Sequence, residues 1–264
     1  MQIGLIGCGN MARALARGWR RPVVCSDPVA GRARALAAEV GGEELASNAE
    51  VARRSDLVIL CHKPAQLREV ASEVAPHVRA VASILAMTPL SALRDAYPGK
   101  PAYRFMPSLP VEVRGGALVQ AVDGADARDG APAGGGDAGR ELDEAVHQLF
   151  AELGTLVLLD ESLVDVAMGL MSCGPAYVAL VAEAQVDAGV RRGIPAAQGA
   201  QLVVQTLAGT AELIRRREHD MIAVRREVTS PGGVTARGLA ALEHAGLRSA
   251  FSDALDAVLS DAAR

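Results

Sequence analysis

A glycine-rich turn between the first strand and the first helix constrains this chain more than any other feature. The apolar run at residues 2–6 leads into Gly7, Gly9 and Ala12, spaced as G-x-G-x-x-A, and residues 10–20 have a helical pattern. Gly7 permits a tight turn, Gly9 lets a pyrophosphate approach the backbone, and Ala12 lets the helix pack closely on the strand. The turn predicts a dinucleotide site, and an ordinary strand–helix turn is the alternative.

The first 159 residues alternate between short apolar strands and helices. This alternation predicts an α/β fold with a doubly wound, mostly parallel sheet of the Rossmann type. The run at 115–122 is expected to be antiparallel at an edge, and the polar, glycine-rich run at 123–139 to be a surface loop. Further strands are predicted at 22–27, 55–61, 80–87, 101–106 and 155–160.

From residue 160 onward the strand signal disappears. Helical patterns run through residues 163–189, 196–217 and 233–263 and are rich in alanine, leucine and glycine. Helices this apolar cannot cover their own surface, so we expect them to pack against a second subunit. The sequence therefore predicts a dinucleotide-binding domain over 1–159 and an all-α dimerisation and substrate domain over 160–264.

Composition and charge exclude several classes of protein. The net charge is −4 with no basic block, which argues against nucleic acid as a partner. No leader precedes the first strand and no apolar run looks long enough to span a bilayer, so we expect a cytoplasmic protein without a membrane partner. The four cysteines lack metal-ligand spacing, so no metal site is predicted.

Two charged residues follow buried strands at the expected ligand-binding edge of the sheet. Asp27 ends the second strand, where a carboxylate would bind the adenosine ribose and repel a 2′-phosphate. It favours NADH slightly, but Arg32 or Arg34 could still reach a 2′-phosphate, so NADPH stays open. Lys63 follows another buried strand and could support a cofactor electrostatically, or be a surface lysine. His62 is interpreted as structural.

A second glycine-rich helix start lies near the end of the chain, at residues 230–233. Its Ser-Pro-Gly-Gly sequence would let a carboxylate approach the main chain at a helix N-terminus. Thr235 could place its hydroxyl near the substrate. The alternative is that Ser230 is only an N-cap and Thr235 a solvated residue of the first turn.

These motifs together resemble the pyrroline-5-carboxylate reductase family almost end to end. The resemblance implies a Rossmann domain, a helical dimerisation domain and a homo-oligomer built from dimers. It also implies the reduction of L-1-pyrroline-5-carboxylate to L-proline with NADH or NADPH. The strings that carry it are "GCGNMARAL", "HKP", "RFMPSLP", "CGPAYV", "DAGVRRG", "VTSPGG" and "LEHAGLRSAF".

The resemblance also implies roles for individual residues. Catalysis would involve Thr235 and Lys63. The substrate would be surrounded by Glu161, Ser230, Gly233, Val234 and Thr235. The cofactor would contact Gly7, Gly9, Asn10, Met11 and Asn48, with Cys61, Lys63 and Pro64 along the nicotinamide and Met106 and Pro107 opposite, in addition to Asp27.

Several positions depart from the family's usual pattern and leave the substrate open. The family's asparagine after Met-Pro is Ser108 here, its "SGSGPAY" is "MSCGPAY" with Met171 and Ser172, and its usual hydrophobic residue and first threonine are His62 and Val234. A paralogue that reduces another cyclic imine is therefore an alternative, as is a dinucleotide-binding protein without catalysis. A β-hydroxyacid dehydrogenase is disfavoured, because residues 163–188 contain no lysine to take the alcohol proton.

Overall fold

A computed structural model describes residues 1–122 and 136–260, with side chains from residue 139 in the second range. The chain divides into two compact units, Met1–Pro175 and Ala176–Arg264. Residues 123–135 of the predicted surface loop lie outside the described residues. Residues 136–139 of that loop prediction belong instead to a helix.

The first unit is built on one sheet of eight strands. Their order is β3-β2-β1-β4-β5-β6-β7-β8, and every neighbouring pair is parallel except β6 and β7. The strands are β1 Ile3–Ile6, β2 Val24–Ser26, β3 Glu43–Glu44, β4 Leu57–Leu60, β5 Val81–Ser83, β6 Ala102–Pro107, β7 Gly116–Val122 and β8 Gly154–Asp160. The predicted doubly wound α/β sheet is confirmed.

Helices cover both faces of this sheet. Along β4, Leu57 and Ile59 point into one apolar cluster while Val58 and Leu60 point into the other, as the period of two requires. The helices of this unit are α1 Asn10–Trp19, α2 Arg32–Val40, α3 Asn48–Arg54, α4 Leu67–Val74, α5 Leu90–Ala96, α6 Gly136–Ala151 and α7 Glu161–Met171.

The far end of the sheet differs from the sequence prediction in one respect. The run at 115–122 does form β7, antiparallel to β6, but it is not an edge strand. β8 adds to β7 in parallel and takes the edge. The prediction was wrong because β8 must pair beside β7 once α6 has crossed over the sheet, and the sequence does not show this register.

The second unit is entirely helical within the residues described. Its helices are α8 Gly174–Val190, which starts at the end of the first unit, α9 Ala196–Arg216, α10 Met221–Glu227, α11 Val234–His244 and α12 Leu247–Ser260. The long run predicted at 233–263 is divided at Gly246, whose φ of 81° ends the helix in the left-handed region. Among described residues 176–260, Val224 is the only hydrophobic side chain that is buried.

The expectation that no apolar run is long enough to span a bilayer was wrong in its literal form. The segment Glu161–Val190, which comprises α7 and α8, has a mean hydropathy of 1.6 over its best window and meets the length criterion. Only 17% of that window is buried in the single chain. One such segment is weak evidence for a membrane protein, because apolar helices that pack against another subunit have the same composition.

Candidate active site

The glycine turn after β1 has the geometry that a dinucleotide requires. Gly7 has a φ of 91°, and a Cβ there would lie 2.8 Å from the carbonyl oxygen of Cys61. Gly9 is the N-cap of α1, and a Cβ there would meet nothing within 4 Å. Because Gly9 has no side chain to cap the helix, the first N–H groups of α1 are available to a phosphate. The turn therefore fits the cofactor.

Asp27 holds this turn against the end of β2. One carboxylate oxygen accepts a hydrogen bond from the Cys8 N–H at 2.7 Å, and the other accepts from the Val29 N–H at 2.8 Å. The carboxylate is thereby fixed beside the Gly7 turn, at the edge where dinucleotides bind. Its contact with the ribose stays a prediction.

A cavity of about 350 Å³ opens beside the turn. Asn48, predicted to contact the ribose, lies at the start of α3, where its side-chain oxygen accepts from Ser26 Oγ at 2.7 Å and its amide donates to Glu73 Oε2 at 2.8 Å. The cavity is lined by Ile6, Gly7, Ser26, Asp27, Pro28, Leu45, Ala46, Ser47, Asn48, His62, Gln66, Glu69, Val70 and Glu73.

Five polar residues of this cavity were not predicted from the sequence: Ser26, Ser47, Gln66, Glu69 and Glu73. Three of them follow Lys63-Pro64 at intervals of three and four residues. That spacing places Gln66, Glu69 and Glu73 on one face of a helix, and was the signal that could have identified them.

The residues after β4 lie next to the glycine turn, because β4 and β1 are paired neighbours. The Cys61 N–H donates to the Ile6 carbonyl at 2.9 Å, and burial raises the pKa of the Cys61 thiol, which stays protonated. Lys63 is exposed, and its N–H donates to Gln66 Oε1 at 3.1 Å, which starts the 3-10 helix Pro64–Gln66. A cationic side chain at this edge suits an anionic cofactor.

His62 also lines the cavity, where the family usually has a hydrophobic residue. Its Nδ1 lies 2.9 Å from the Lys63 carbonyl, and its Nε2 is buried without a hydrogen-bond partner. Burial lowers the pKa of His62, so the ring is neutral at pH 7 and above. The interpretation of His62 as structural stays open.

The end of β6 is fixed by serines at two of the departing positions. Ser108 Oγ donates to the Ala117 carbonyl at 3.0 Å and accepts from its N–H at 2.9 Å, so this hydroxyl is used by the backbone of β7. Ser172, at the break between α7 and α8, donates to the Pro107 carbonyl at 2.9 Å. Met106 is buried just before this point. The departures at Ser108 and Ser172 thus directly support the Met106-Pro107 segment.

Glu161 is engaged by a buried ion pair inside the first unit. Its Oε1 accepts from Arg104 Nη1 at 3.2 Å and from the Leu90 N–H at 2.5 Å. Arg104 also donates to Asp165 Oδ1 at 2.6 Å, and its side chain is 2% exposed. Glu161 therefore joins β6, α5 and α7, and its predicted contact with substrate stays a prediction.

The second glycine-rich start lies in the second unit, at the N-terminus of α11. Gly233, not Ser230, is the N-cap, and a Cβ on Gly233 would collide with the Ser230 hydroxyl. The N–H groups of Val234 and Thr235 have no acceptor within the helix, and Gly233 offers no capping side chain. Ser230 is therefore not the N-cap of α11, whereas the alternative of Thr235 as a solvated residue stays open. Thr235 is half-buried on the first turn.

The structure brings the predicted cofactor residues of the first unit to one edge of the sheet. Gly7, Asp27 and Lys63 follow the carboxyl ends of β1, β2 and β4, and Pro107 is the last residue of β6. These four strands run parallel within one sheet. Asn10 and Met11 open α1 at that edge. Among the described residues, no group of three His, Cys, Asp or Glu side chains could hold a metal ion.

Known proteins similar to this chain span almost its whole length. A pyrroline-5-carboxylate reductase of Synechocystis is 34% identical over 266 residues, which covers 97% of this chain and 95% of the relative. The chain belongs to the pyrroline-5-carboxylate reductase family. The family member from Glycine max is 32% identical and covers 96% of this chain and 92% of its own.

Two segments of the present chain, one near each end, also match separate family models. Residues 2–87 match the model described as NADP oxidoreductase, coenzyme F420-dependent, and residues 161–264 match the pyrroline-5-carboxylate reductase dimerisation model. The chain therefore joins the dinucleotide-binding domain of an NAD(P)-dependent oxidoreductase to a dimerisation domain. The second match includes the apolar segment Glu161–Val190.

Solved structures of the same family have the same fold. The 1-pyrroline-5-carboxylate reductase of Streptococcus pyogenes superposes with a TM-score of 0.85 at 27% identity, covering 99% of this chain and 98% of that one. The Plasmodium falciparum pyrroline carboxylate reductase, solved with NADP bound, superposes with a TM-score of 0.84 over 99% and 97% of the two chains. At 24% identity, the second likeness shows the fold alone.

Proposed function

We propose that this protein reduces L-1-pyrroline-5-carboxylate to L-proline, with NADH or NADPH as the hydride donor. The observation that carries the proposal is the Gly7–Gly9 turn, open in front of α1, in a chain 34% identical to a pyrroline-5-carboxylate reductase over 97% of its length. A bound nicotinamide would supply the hydride to the C=N carbon of the ring. The imine is already electrophilic, so the protein needs to position the reactants more than to supply a strong base.

The first unit would hold the cofactor. The pyrophosphate would lie on the N–H groups at Gly9, Asn10 and Met11, and the adenosine in the cavity beside Asp27 and Asn48. Cys61, Lys63 and Pro64 would line one side of the nicotinamide site, with Met106 and Pro107 on the other. The Ser172 bond to Pro107 supports this arrangement, because it fixes the backbone just after Met106.

The second unit would hold the substrate. Its carboxylate would accept from the unpaired N–H groups of Val234 and Thr235, after Gly233 and Ser230, without a buried cation. The Thr235 hydroxyl would hydrogen-bond the ring nitrogen and orient the C=N bond. Glu161 would contribute only if substrate binding rearranges its contacts with Arg104 and Leu90.

A homodimer would cover the exposed apolar residues of the helical unit. Leu180 is 64% exposed, Leu202 62% and Val204 62% in the single chain. All three lie on helices matched by the dimerisation model. A surface of this kind in one chain favours pairing with a second copy. We further propose that such dimers form a larger assembly. The boundary between the two domains is proposed to lie between residues 159 and 160, and the location of the protein to be cytoplasmic.

A second candidate function is the reduction of a different cyclic imine, such as one with a six-membered ring. It is favoured by Ser108 and Ser172, which depart from the family's usual pattern and whose hydroxyls form hydrogen bonds at the end of the Met106-Pro107 segment. Pyrroline-5-carboxylate and piperideine carboxylates compared in one assay would distinguish the two. A higher kcat/KM for the six-membered ring would replace the proposed substrate.

The role of Thr235 gives a direct test of the proposed site. Thr235→Ala should lower kcat for imine reduction by about tenfold or more, because one hydrogen bond that orients the reacting bond is lost. The dissociation constant for NADH, measured by titration, should stay unchanged. Thr235→Ser, which retains the hydroxyl, should recover most of the rate. Unchanged turnover in Thr235→Ala would remove Thr235 from the mechanism.

A further inference from the structure

The cavity proposed for the adenosine has an unusual charge. Asp27 at the end of β2 and two glutamates on α4, Glu69 and Glu73, all line it. Its lining includes no lysine and no arginine. His62 is the only other titratable side chain in the lining, and burial lowers its pKa, so it adds no positive charge at pH 7 and above. The cavity is therefore lined by three carboxylates that no base in the lining balances.

Glu73 also sets the orientation of Asn48. A carboxylate only accepts hydrogen bonds, so the Asn48 amide nitrogen must be the group facing Glu73 Oε2, 2.8 Å away. The side-chain oxygen of Asn48 then faces Ser26 Oγ at 2.7 Å and accepts its proton. Glu73 thus acts on the cavity in two ways, through its charge and through the direction in which Asn48 presents its amide.

The arginines nearest in sequence do not offset this charge. Arg34 forms an ion pair with Glu44 Oε2 at 3.1 Å. Arg32 is exposed at the start of α2. Neither lines the cavity. A 2′-phosphate entering beside Asp27 would therefore meet negative charge on the α4 side as well.

We propose that Glu69 and Glu73, together with Asp27, make this enzyme select NADH over NADPH. The assignment rests on the proposed function, which places the adenosine half of the cofactor in this cavity. A ribose with free hydroxyls can donate to carboxylates, whereas a 2′-phosphate carries between one and two negative charges and can only be repelled by them. Glu73 is in addition a positioning residue for Asn48.

The test is the ratio of two dissociation constants, Kd for NADPH divided by Kd for NADH, measured by nicotinamide fluorescence at low salt. The unmodified protein should bind NADH more tightly. Glu69→Gln and Glu73→Gln should each lower the ratio by roughly threefold to tenfold, mainly because NADPH binds better, and the double variant should lower it further. Glu141→Gln, an exposed position on α6 outside the cavity, is the matched control and should leave the ratio unchanged.

Two substitutions distinguish the charge of Glu73 from its hydrogen bond with Asn48. Glu73→Gln retains an oxygen that accepts from Asn48 and removes only the charge, so NADH affinity should stay within about twofold. Glu73→Ala removes both, so NADH should also bind more weakly. Equal loss of NADH affinity in both variants would overturn the positioning role.

Three results would overturn the selectivity proposal. They are equal or tighter binding of NADPH by the unmodified protein, a ratio unaffected by both glutamine substitutions, or binding of neither cofactor. The last would overturn the proposed function as well. Tight, selective NADH binding without turnover of any imine would instead contradict the proposed function and leave the selectivity intact, because the binding constants do not depend on catalysis.

Discussion

At the residue scale, Arg104 is a cationic side chain in a buried environment that its chemistry disfavours. Its guanidinium is almost fully removed from water, yet it is compensated by carboxylates of Glu161 and Asp165 on α7. A buried charge persists only where such partners and further hydrogen bonds compensate for its lost hydration. Two residues further along β6, Met106 begins the segment proposed to face the nicotinamide. The ion pair thereby links α7 to the strand that carries part of the proposed site.

Removal of this buried cation should be costly. Arg104→Met would leave Glu161 and Asp165 close together without a counter-charge, so we expect a loss of about 3–5 kcal/mol in the free energy of unfolding. Urea denaturation at pH 7 measures it. Arg79→Met removes an exposed ion pair with Asp56 and should cost less than about 1 kcal/mol. Equal stability of the two variants would show that the Arg104 ion pair does not stabilise the fold.

At the scale of elements, the two glycines of the turn between β1 and α1 have different surroundings. Gly7 is required by the backbone, because its φ is 91° and a Cβ would come within 2.8 Å of the Cys61 carbonyl oxygen. Gly9 has an ordinary φ of −72° and open space around it. The fold explains the first glycine, and the second is the one we propose to be required by the cofactor.

This difference predicts opposite behaviour for two alanine variants. Gly7→Ala should unfold at lower urea concentration, with a loss of roughly 1–3 kcal/mol, because the new side chain is strained and collides with the Cys61 backbone just after β4. Gly9→Ala should keep its stability but bind NADH at least tenfold more weakly, because the methyl group blocks the pyrophosphate. Calorimetry for stability and a fluorescence titration for affinity separate the two. Undiminished NADH binding by Gly9→Ala would argue against a phosphate at this turn.

Helices and strands with a clear apolar pattern were predictable from the sequence. Strands that form only because they pair with a neighbouring strand were not. β1 and β4 are continuous apolar runs buried on both faces, so their period and composition identify them. β3 consists of Glu43 and Glu44, which are exposed and polar, and exists only because it pairs with β2. The break of the apolar run at Ser172 was also missed, although Gly174-Pro175 just after it is a signal for a new helix start.

The residues of the candidate site also divide into those that the sequence predicted and those that only the structure reveals. Gly7, Asp27 and Asn48 were identified because each has a local pattern or matches a family motif, and the structure places all three on one cavity. The contacts of Ser172 with Pro107 and of Arg104 with Glu161 join residues more than fifty positions apart. Only the folded chain brings such pairs together, so no window of sequence contains their signal.

At the scale of the whole molecule, the helical unit lacks a core of its own. Within described residues 176–260, Val224 is the one buried hydrophobic side chain, while Leu180 on α8 and Leu202 on α9 stay exposed. Folding is driven by removing apolar surface from water, and this unit in a single chain removes little. The match to a dimerisation domain agrees with that observation.

Assembly should therefore depend on these apolar residues. Leu180→Glu, at a position 64% exposed in the single chain, should convert the proposed dimer to monomer or lower its stability, because a carboxylate would be buried without a partner. Light scattering coupled to size exclusion gives the mass. Glu183→Gln, an exposed polar position on the same helix, is the control. A monomeric unmodified protein would contradict the dimer.

The central claim is that this chain reduces a five-membered cyclic imine, and one measurement tests it most directly. Purified protein is mixed with L-1-pyrroline-5-carboxylate and either NADH or NADPH, and the loss of nicotinamide absorbance is followed together with the formation of L-proline. The account predicts stoichiometric oxidation of the nicotinamide and appearance of proline, faster with NADH at equal cofactor concentration. Tight binding of the cofactor without any oxidation would contradict it.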